Sequence, residues 1–156
     1  RPCLIRILFL VILITQPLFT TGKPVFAQDR SNVMKMINRE ITKRNLRKLR
    51  DMGPQGISYI DESSIRNEKD TAFFDLYVFY PHQTKDAEKD KKSNIWKEVQ
   101  TYEFKCRTGN WKIIRLVDFP QNGKIMKYLE SFLLSQPYQK NIPNSESNMY
   151  YNIVCK

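Results

Sequence analysis

The stretch Thr71-Ala72-Phe73-Phe74-Asp75-Leu76-Tyr77-Val78-Phe79-Tyr80-Pro81 decides the fold. Read as a strand over 71–80, it is apolar on both faces, which suits a central strand covered from both sides. Pro81 ends it, because proline has no N–H to give a ladder. Upstream, Ile57–Asp61 reads as a short strand. Downstream, residues 94–106 alternate: Tyr102, Phe104 and Cys106 share one face, and Thr101, Glu103 and Lys105 share the other. Thr108-Gly109-Asn110 is a tight turn, after which Trp111, Ile113, Val117 and Phe119 continue an apolar face. Arg115 interrupts that face and either snorkels or marks a polar site. The chain from Ile57 on therefore predicts an antiparallel sheet.

Between these strands, Thr84–Lys92 is a charged, solvated loop, and Asn122-Gly123 is a hairpin signal. Beyond the hairpin, Ile125, Leu129, Phe132 and Leu133 follow helical spacing, while the position after a tight turn argues for strand. Strand is the expectation for residues 124–134. Ser145-Glu146-Ser147-Asn148 then supplies a helix cap with an early acid, and Met149 and Ile153, with Tyr150 or Val154 as a further candidate, form a buried stripe. Cys155 falls in the last turn of that helix.

The chain has 156 residues, a net charge of +10, three cysteines and one histidine. That size fits one domain with a core of its own. With 41% apolar and 27% charged residues, a disordered chain and a multi-span membrane protein are excluded. A single histidine excludes a His-pair ribonuclease mechanism and a multi-histidine zinc site.

Residues 1–27 read as an export signal. Arg1 and Arg6 form a basic start, Ile7–Ile14 is an unbroken apolar run, and Val25-Phe26-Ala27 suits a signal peptidase. The apolar run is far short of the roughly 20 residues that span a bilayer. Cleavage after Ala27 removes Arg1, Arg6 and Lys23 and no acid, which takes the charge from +10 to +7. It also removes Cys3, which precedes the apolar run and so is not placed for lipid anchoring. Cys106 and Cys155 remain as an even pair in an oxidising setting, where a disulfide is expected over two free thiols. That bond would pin the C-terminal helix onto one face of the sheet.

Residues 28–50 are basic and read as helical. Val33, Ile37 and Ile41 recur every four residues, surrounded by Lys35, Arg39, Lys43, Arg44, Arg47, Lys48 and Arg50, with Asp29 or Ser31 as a cap. Gly53-Pro54-Gln55-Gly56 breaks the helix. Such a stretch can dock on an anionic membrane or polyanion, and more often is a solvated helix laid on its domain by the apolar stripe.

Catalytic signatures are absent: no zinc helix, Gly-rich phosphate loop, nucleophile elbow or Cys-x-x-Cys occurs. His82 falls beside a charged loop, where a solvated imidazole is expected. Asp61, Glu62, Asp75 and Asp118 offer acids, with nothing in their spacing to pair them. No cofactor or metal site is expected. What remains is a run where cations interleave with aromatics: Lys91, Lys92, Trp96, Lys97, Tyr102, Lys105, Arg107, Trp111, Lys112 and Arg115. The mixture suits nucleic acid by phosphate contact and stacking. Export makes sulfated polysaccharide, anionic lipid or an acidic protein patch the better expectation.

Ile57-Ser58-Tyr59-Ile60-Asp61-Glu62-Ser63-Ser64-Ile65, the strand Phe73–Tyr80, Ser93, Tyr102–Cys106, Trp111–Phe119, Gly123 and Ser145–Cys155 occur in an order that resembles the bacterial surface-adhesin protein E family. The resemblance covers residues 50 to 156. It implies a curved antiparallel sheet with a disulfide-held C-terminal helix, an exported or surface protein, a homodimer, and adhesion to host extracellular-matrix and plasma proteins. It also places the adhesive surface at Lys92 to Arg115.

The expectation is thus an α+β fold: a signal peptide over 1–27, a basic helical or linker segment over 28–52, and a sheet-plus-helix domain over 53–156. The function expected is non-enzymatic binding outside the cytoplasm through Lys92, Trp96, Lys97, Lys105, Arg107, Lys112 and Arg115. The partner would be a matrix or plasma protein or an anionic polysaccharide or lipid surface, and not nucleic acid. The alternatives are a periplasmic envelope module of the same fold and, behind it, a small secreted hydrolase using carboxylates.

Overall fold

A computed structural model describes residues 25–81, 95–121, 125–128 and 130–156. The apolar run of the export signal, His82, the loop at 84–92 with Lys92, and the Asn122-Gly123 turn lie outside the described residues. The chain forms α1 (Val25–Arg44), β1 (Arg47–Asp51), a single 3₁₀ turn (Gly53–Gln55), β2 (Ile57–Glu68), β3 (Thr71–Phe79), β4 (Ile95–Lys105), β5 (Asn110–Pro120), β6 (Met126–Lys127), α2 (Glu130–Ser135) and α3 (Glu146–Val154). The strands make one antiparallel sheet in chain order, β1 to β6.

β3 is central and covered on both faces, as its composition requires. On one face Ala72, Phe74, Leu76 and Val78 pack with Ile60, Tyr102 and Phe104 beneath Tyr150 and Val154 of α3. Burial among these rings pushes the Tyr150 hydroxyl up to about 12. On the other face Tyr77 and Phe79 pack with Trp96 and Val99 beneath Val33 and Ile37 of α1. The Ser145 hydroxyl accepts the Asn148 N–H at the start of α3, and Cys106–Cys155 bonds the end of α3 to the end of β4 across a separation of 49 residues. The antiparallel sheet, the tethered C-terminal helix and the disulfide all match expectation.

Four local readings are corrected. The helix expected over residues 28–50 ends at Arg44, and α1 begins at Val25, so Asp29 and Ser31 lie inside it. Asn45 takes a left-handed φ of 52°, the Leu46 N–H closes back on the Ile41 carbonyl at 3.1 Å, and buried Leu46 redirects the chain into β1. The short strand at 57–61 extends to Glu68, because a register break between Asp61 and Arg66 lets it rejoin β3.

The apolar face expected to run from Trp111 to Phe119 is split. A bulge at Ile114 pairs Tyr102 with Ile113 but Thr101 with Arg115, so Trp111 and Ile113 face α3 while Phe119 packs on the α1 side. Arg115 therefore interrupts no apolar run on the α3 side; it belongs to the opposite face. Finally, of the strand expected over 124–134 only Met126–Lys127 pairs, with Val117 and Asp118. After the Tyr128 N–H bonds the Leu116 carbonyl, the chain leaves the sheet edge and its helical spacing takes over as α2, which buries Leu133.

Candidate functional site

α1 covers one end of its face of the sheet and leaves the other end open. Cross-strand partners share a face, so the register places Asp75, Thr101 and Arg115 in one row there. Phe73, Glu103 and Lys112 form the next row, and Thr71 and Lys105 the last. The break in β2 folds Ser63, Ser64, Ile65 and Arg66 beside these rows. Together with Phe73, Phe74, Asp75 and Thr101 they line a recess of about 240 Å³.

The recess is held by a chain of short polar contacts. The Ser63 N–H and hydroxyl donate to Asp61 Oδ1, the Ser64 hydroxyl donates to the Asp61 carbonyl at 2.6 Å, and the Asp75 N–H donates to the Ser64 hydroxyl at 2.8 Å. The Thr101 hydroxyl donates to Asp75 Oδ1 at 2.6 Å. Arg66 lies over the Phe73 ring at 5.0 Å, which gives the rim one cationic, planar edge. Beside it, Glu103 accepts from Lys105 Nζ at 2.7 Å and from the Tyr138 hydroxyl at 2.6 Å. Burial alone would raise the Glu103 carboxyl, but the hydrogen bonds from Lys105 and Tyr138 outweigh it and hold the group below its ordinary value. The same bond, with Glu103 as partner, raises Lys105.

The residues expected to form one basic-aromatic surface are divided by the fold. Trp96 is buried under α1, and Lys97 lies beside it with its side chain only 8% exposed. The Lys97 ammonium sits 3.1 Å from Glu40 Oε2 on α1 and 4.0 Å from the Phe119 ring centre. Both residues therefore hold α1 to the sheet instead of facing solvent. Arg107 is at the far turn, 2.6 Å from Asp70. Lys105 is paired with Glu103, and Lys112 donates to the Leu134 carbonyl at 3.1 Å while lying over the Tyr138 ring. Of the set, Lys105, Lys112 and Arg115 come together on the open half. Lys92 is outside the described residues.

The sequence reading missed Arg66, Phe73 and Tyr138 as members of this surface. Phe73 was legible as one parity of β3; Tyr138 was not, because it arrives from a loop joined to β5 by the Trp111–Gln139 bridge. Among the acids, Asp61 and Asp75 are cross-strand partners, each already accepting from a neighbouring hydroxyl, while Asp118 faces α3 and accepts from Tyr128 at 3.1 Å. Among the described residues no cluster of three His, Cys, Asp or Glu is placed to hold a metal ion, and no helix is long and apolar enough to cross a membrane.

A meander sheet with a helix on each face and a disulfide stapling the last helix defines the class: a small α+β domain stabilised for an oxidising compartment. Within that class the chain belongs to the surface-adhesin protein E family, whose family model matches residues 44–156. It is by that membership an adhesin-like protein of the exported or surface kind. Solved structures similar to it include crystal form II of Haemophilus influenzae protein E, at 16% identity and a TM-score of 0.45, covering 69% of this chain and 94% of that one. A selenomethionine form of the same protein is similar at 16% identity and a TM-score of 0.45, covering 70% and 94%. No curated protein matches the chain.

Proposed function

We propose that this chain is an exported, non-enzymatic binding protein whose open sheet half, built from Arg66, Phe73, Lys105, Lys112, Arg115 and Tyr138, docks an extracellular-matrix or plasma protein. The observation that carries the reading is the end of the α1-side face that α1 does not cover, bordered by Tyr138 and the end of α2. There a recess with an aromatic and guanidinium rim adjoins cations on β4 and β5. Aromatic and Arg side chains are the usual anchors of protein interfaces. Family membership supports the same class of function.

Binding of the mature chain to immobilised laminin and vitronectin, measured against salt, tests it. Arg66→Gln with Arg115→Glu should weaken binding at least tenfold without moving the unfolding midpoint, since Arg115 is exposed and the Arg66 side chain is 63% exposed. Unchanged binding in that variant would refute the assignment of the surface.

The pairing of Lys97, Lys105 and Arg107 with acids favours a second reading, an envelope module that needs no host ligand. Absence of binding to either protein at low salt, with the chain retained in the periplasmic fraction, would establish that reading in place of the first.

A further inference from the structure

The net charge of this protein is concentrated in one place, and it is not the open sheet half. Residues 28–50 carry eight Lys and Arg against two acids, a net of +6, whereas residues 51–156 carry fifteen against fourteen, a net of +1. Within 28–50, much of the charge is spent locally. Arg44 and Lys97 share Glu40, Arg47 pairs with Glu62, Lys48 with Asp51 and Arg50 with Glu146. Of the other four cations, Arg30, Lys35, Arg39 and Lys43, the last three are exposed and have no ion-pair partner among the described residues.

These three lie at i, i+4 and i+8 on α1, so they form a single stripe with neighbours about 6 Å apart along the axis. Like charges four apart repel, which disfavours the helix that carries them. Lys43 gains from its place in the last turn, but Lys35 and Arg39 are too far from the helix end for that compensation. The stripe is also rigid, because α1 is fixed to the sheet by Val33, Ile37 and the Glu40–Lys97 ion pair.

The same packing selects among anionic partners. The apolar residues of α1 are spent on the sheet: Val33 and Ile37 are buried, with Met34 and Ile41 packed against them. Over residues 31–44, whose side chains are described, the outward face keeps Lys35, Asn38, Arg39, Thr42 and Lys43, with Met36 as its one apolar member. A helix that binds bilayers needs an apolar face to insert. Over residues 31–44 this one offers a straight row of fixed cations and almost no apolar area. That suits a linear polymer with regularly repeated anionic groups.

We propose that the outward face of α1 is a second binding surface, separate from the open sheet half, for an extended sulfated polysaccharide laid along Lys35, Arg39 and Lys43. All three residues precede the region that matches the family, 44–156. The surface would therefore be a property of this chain added to the family's domain. It does not depend on the protein ligand proposed above.

Titration of the mature chain with a heparin oligosaccharide, at several salt concentrations, tests it. Electrostatic binding by three cations predicts that a fourfold rise in salt weakens affinity roughly 15- to 40-fold, with a smaller factor for a less densely charged polymer. Lys35→Gln, Arg39→Gln and Lys43→Gln combined should lose at least tenfold in affinity and flatten that salt dependence, at an unfolding midpoint no lower than that of the native chain. Lys35→Arg with Lys43→Arg, which keeps the charge, should bind like the native chain. Arg66→Gln with Arg115→Glu should also leave heparin binding intact, so failure of the sheet-face reading and failure of this one give different results. The proposal is overturned if the triple Gln variant binds heparin normally, if only the sheet-face variant loses it, or if no heparin binding occurs at low salt. Tighter binding to phosphatidylglycerol vesicles than to heparin, lost in the same triple variant, would overturn it in favour of a membrane partner.

Discussion

Glu40→Gln should cost this protein more stability than Lys97→Met, although both remove the same ion pair. The Lys97 side chain is 8% exposed and that of Glu40 is 20% exposed, with 3.1 Å between ammonium and carboxylate. At that distance the attraction is about 5 kcal/mol for an effective dielectric near 20 and about 1 kcal/mol in bulk water. The partial exposure of Glu40 places the pair between these limits, at about 3 kcal/mol. A Gln oxygen still accepts one hydrogen bond, which returns about 1 kcal/mol. The net loss expected for Glu40→Gln is therefore about 2 kcal/mol, most of it from leaving an ammonium buried over the Phe119 and Trp96 rings. Lys97→Met deletes that ammonium and keeps the apolar stem, while Glu40 retains Arg44 at 3.2 Å and access to water. It should cost less than about 1 kcal/mol.

Urea unfolding reads the difference as a shift in midpoint at constant slope. The pH dependence adds a second check. Burial acts to raise the Glu40 carboxyl, but hydrogen bonds and charge from Lys97 and Arg44 outweigh it and lower the group below its ordinary 4.5. A group lowered on folding contributes stability above its unfolded value, and loses it as pH falls through the folded one. The gap between native and Glu40→Gln chains should be flat at neutral pH and close below pH 4.5. Equal costs for the two substitutions, or a gap that widens in acid, would refute the argument that a buried, pair-neutralised lysine fastens α1.

Cys106→Ser and Cys155→Ser should each cost about 4 kcal/mol in urea unfolding, the chain-entropy value for a loop of 49 residues, and the double variant should cost no more than either alone. Gly56→Ala should destabilise by about 3 kcal/mol. Gly56 has φ +103°, and an added Cβ would lie 2.9 Å from both the Phe79 carbonyl oxygen and Val78 Cγ1. Tyr138→Phe should raise the titration midpoint of Glu103, followed by carboxyl NMR, because it removes one of the two hydrogen bonds that hold this group down. Mass spectrometry of the exported protein should find Gln28 as its first residue; retention of residues 1–27 would overturn the cleavage reading.

The sheet was legible because its evidence is local. β3 carries apolar residues at both parities, β4 alternates, and both patterns follow from side chains pointing to opposite faces. The α3 cap and the cysteine pair were legible for a similar reason, since each rests on a few residues with one strong preference. What the sequence did not disclose depends on register. The bulge at Ile114 moves Arg115 to the face it shares with Thr101, and no residue type at 113–115 announces a bulge. The turn at Asn45 is another case: a left-handed Asn followed by one buried leucine converts an apparently continuous basic helix into helix and strand.

The same dependence on register explains why a run of cations in sequence was a poor guide to a charged surface. Strand alternation sends Tyr102 and Trp111 to the α3 side, α1 covers Trp96 and Lys97, and Lys97, Lys105, Arg107 and Lys112 each met an acid or a carbonyl. A helix preserves spacing differently: residues four apart stay on one side whatever the helix packs against. Lys35, Arg39 and Lys43 therefore remain a stripe once the apolar residues of α1 have fixed its rotation on the sheet. The basic charge of this protein is consequently most available where the chain is helical, and most internally used where it is strand.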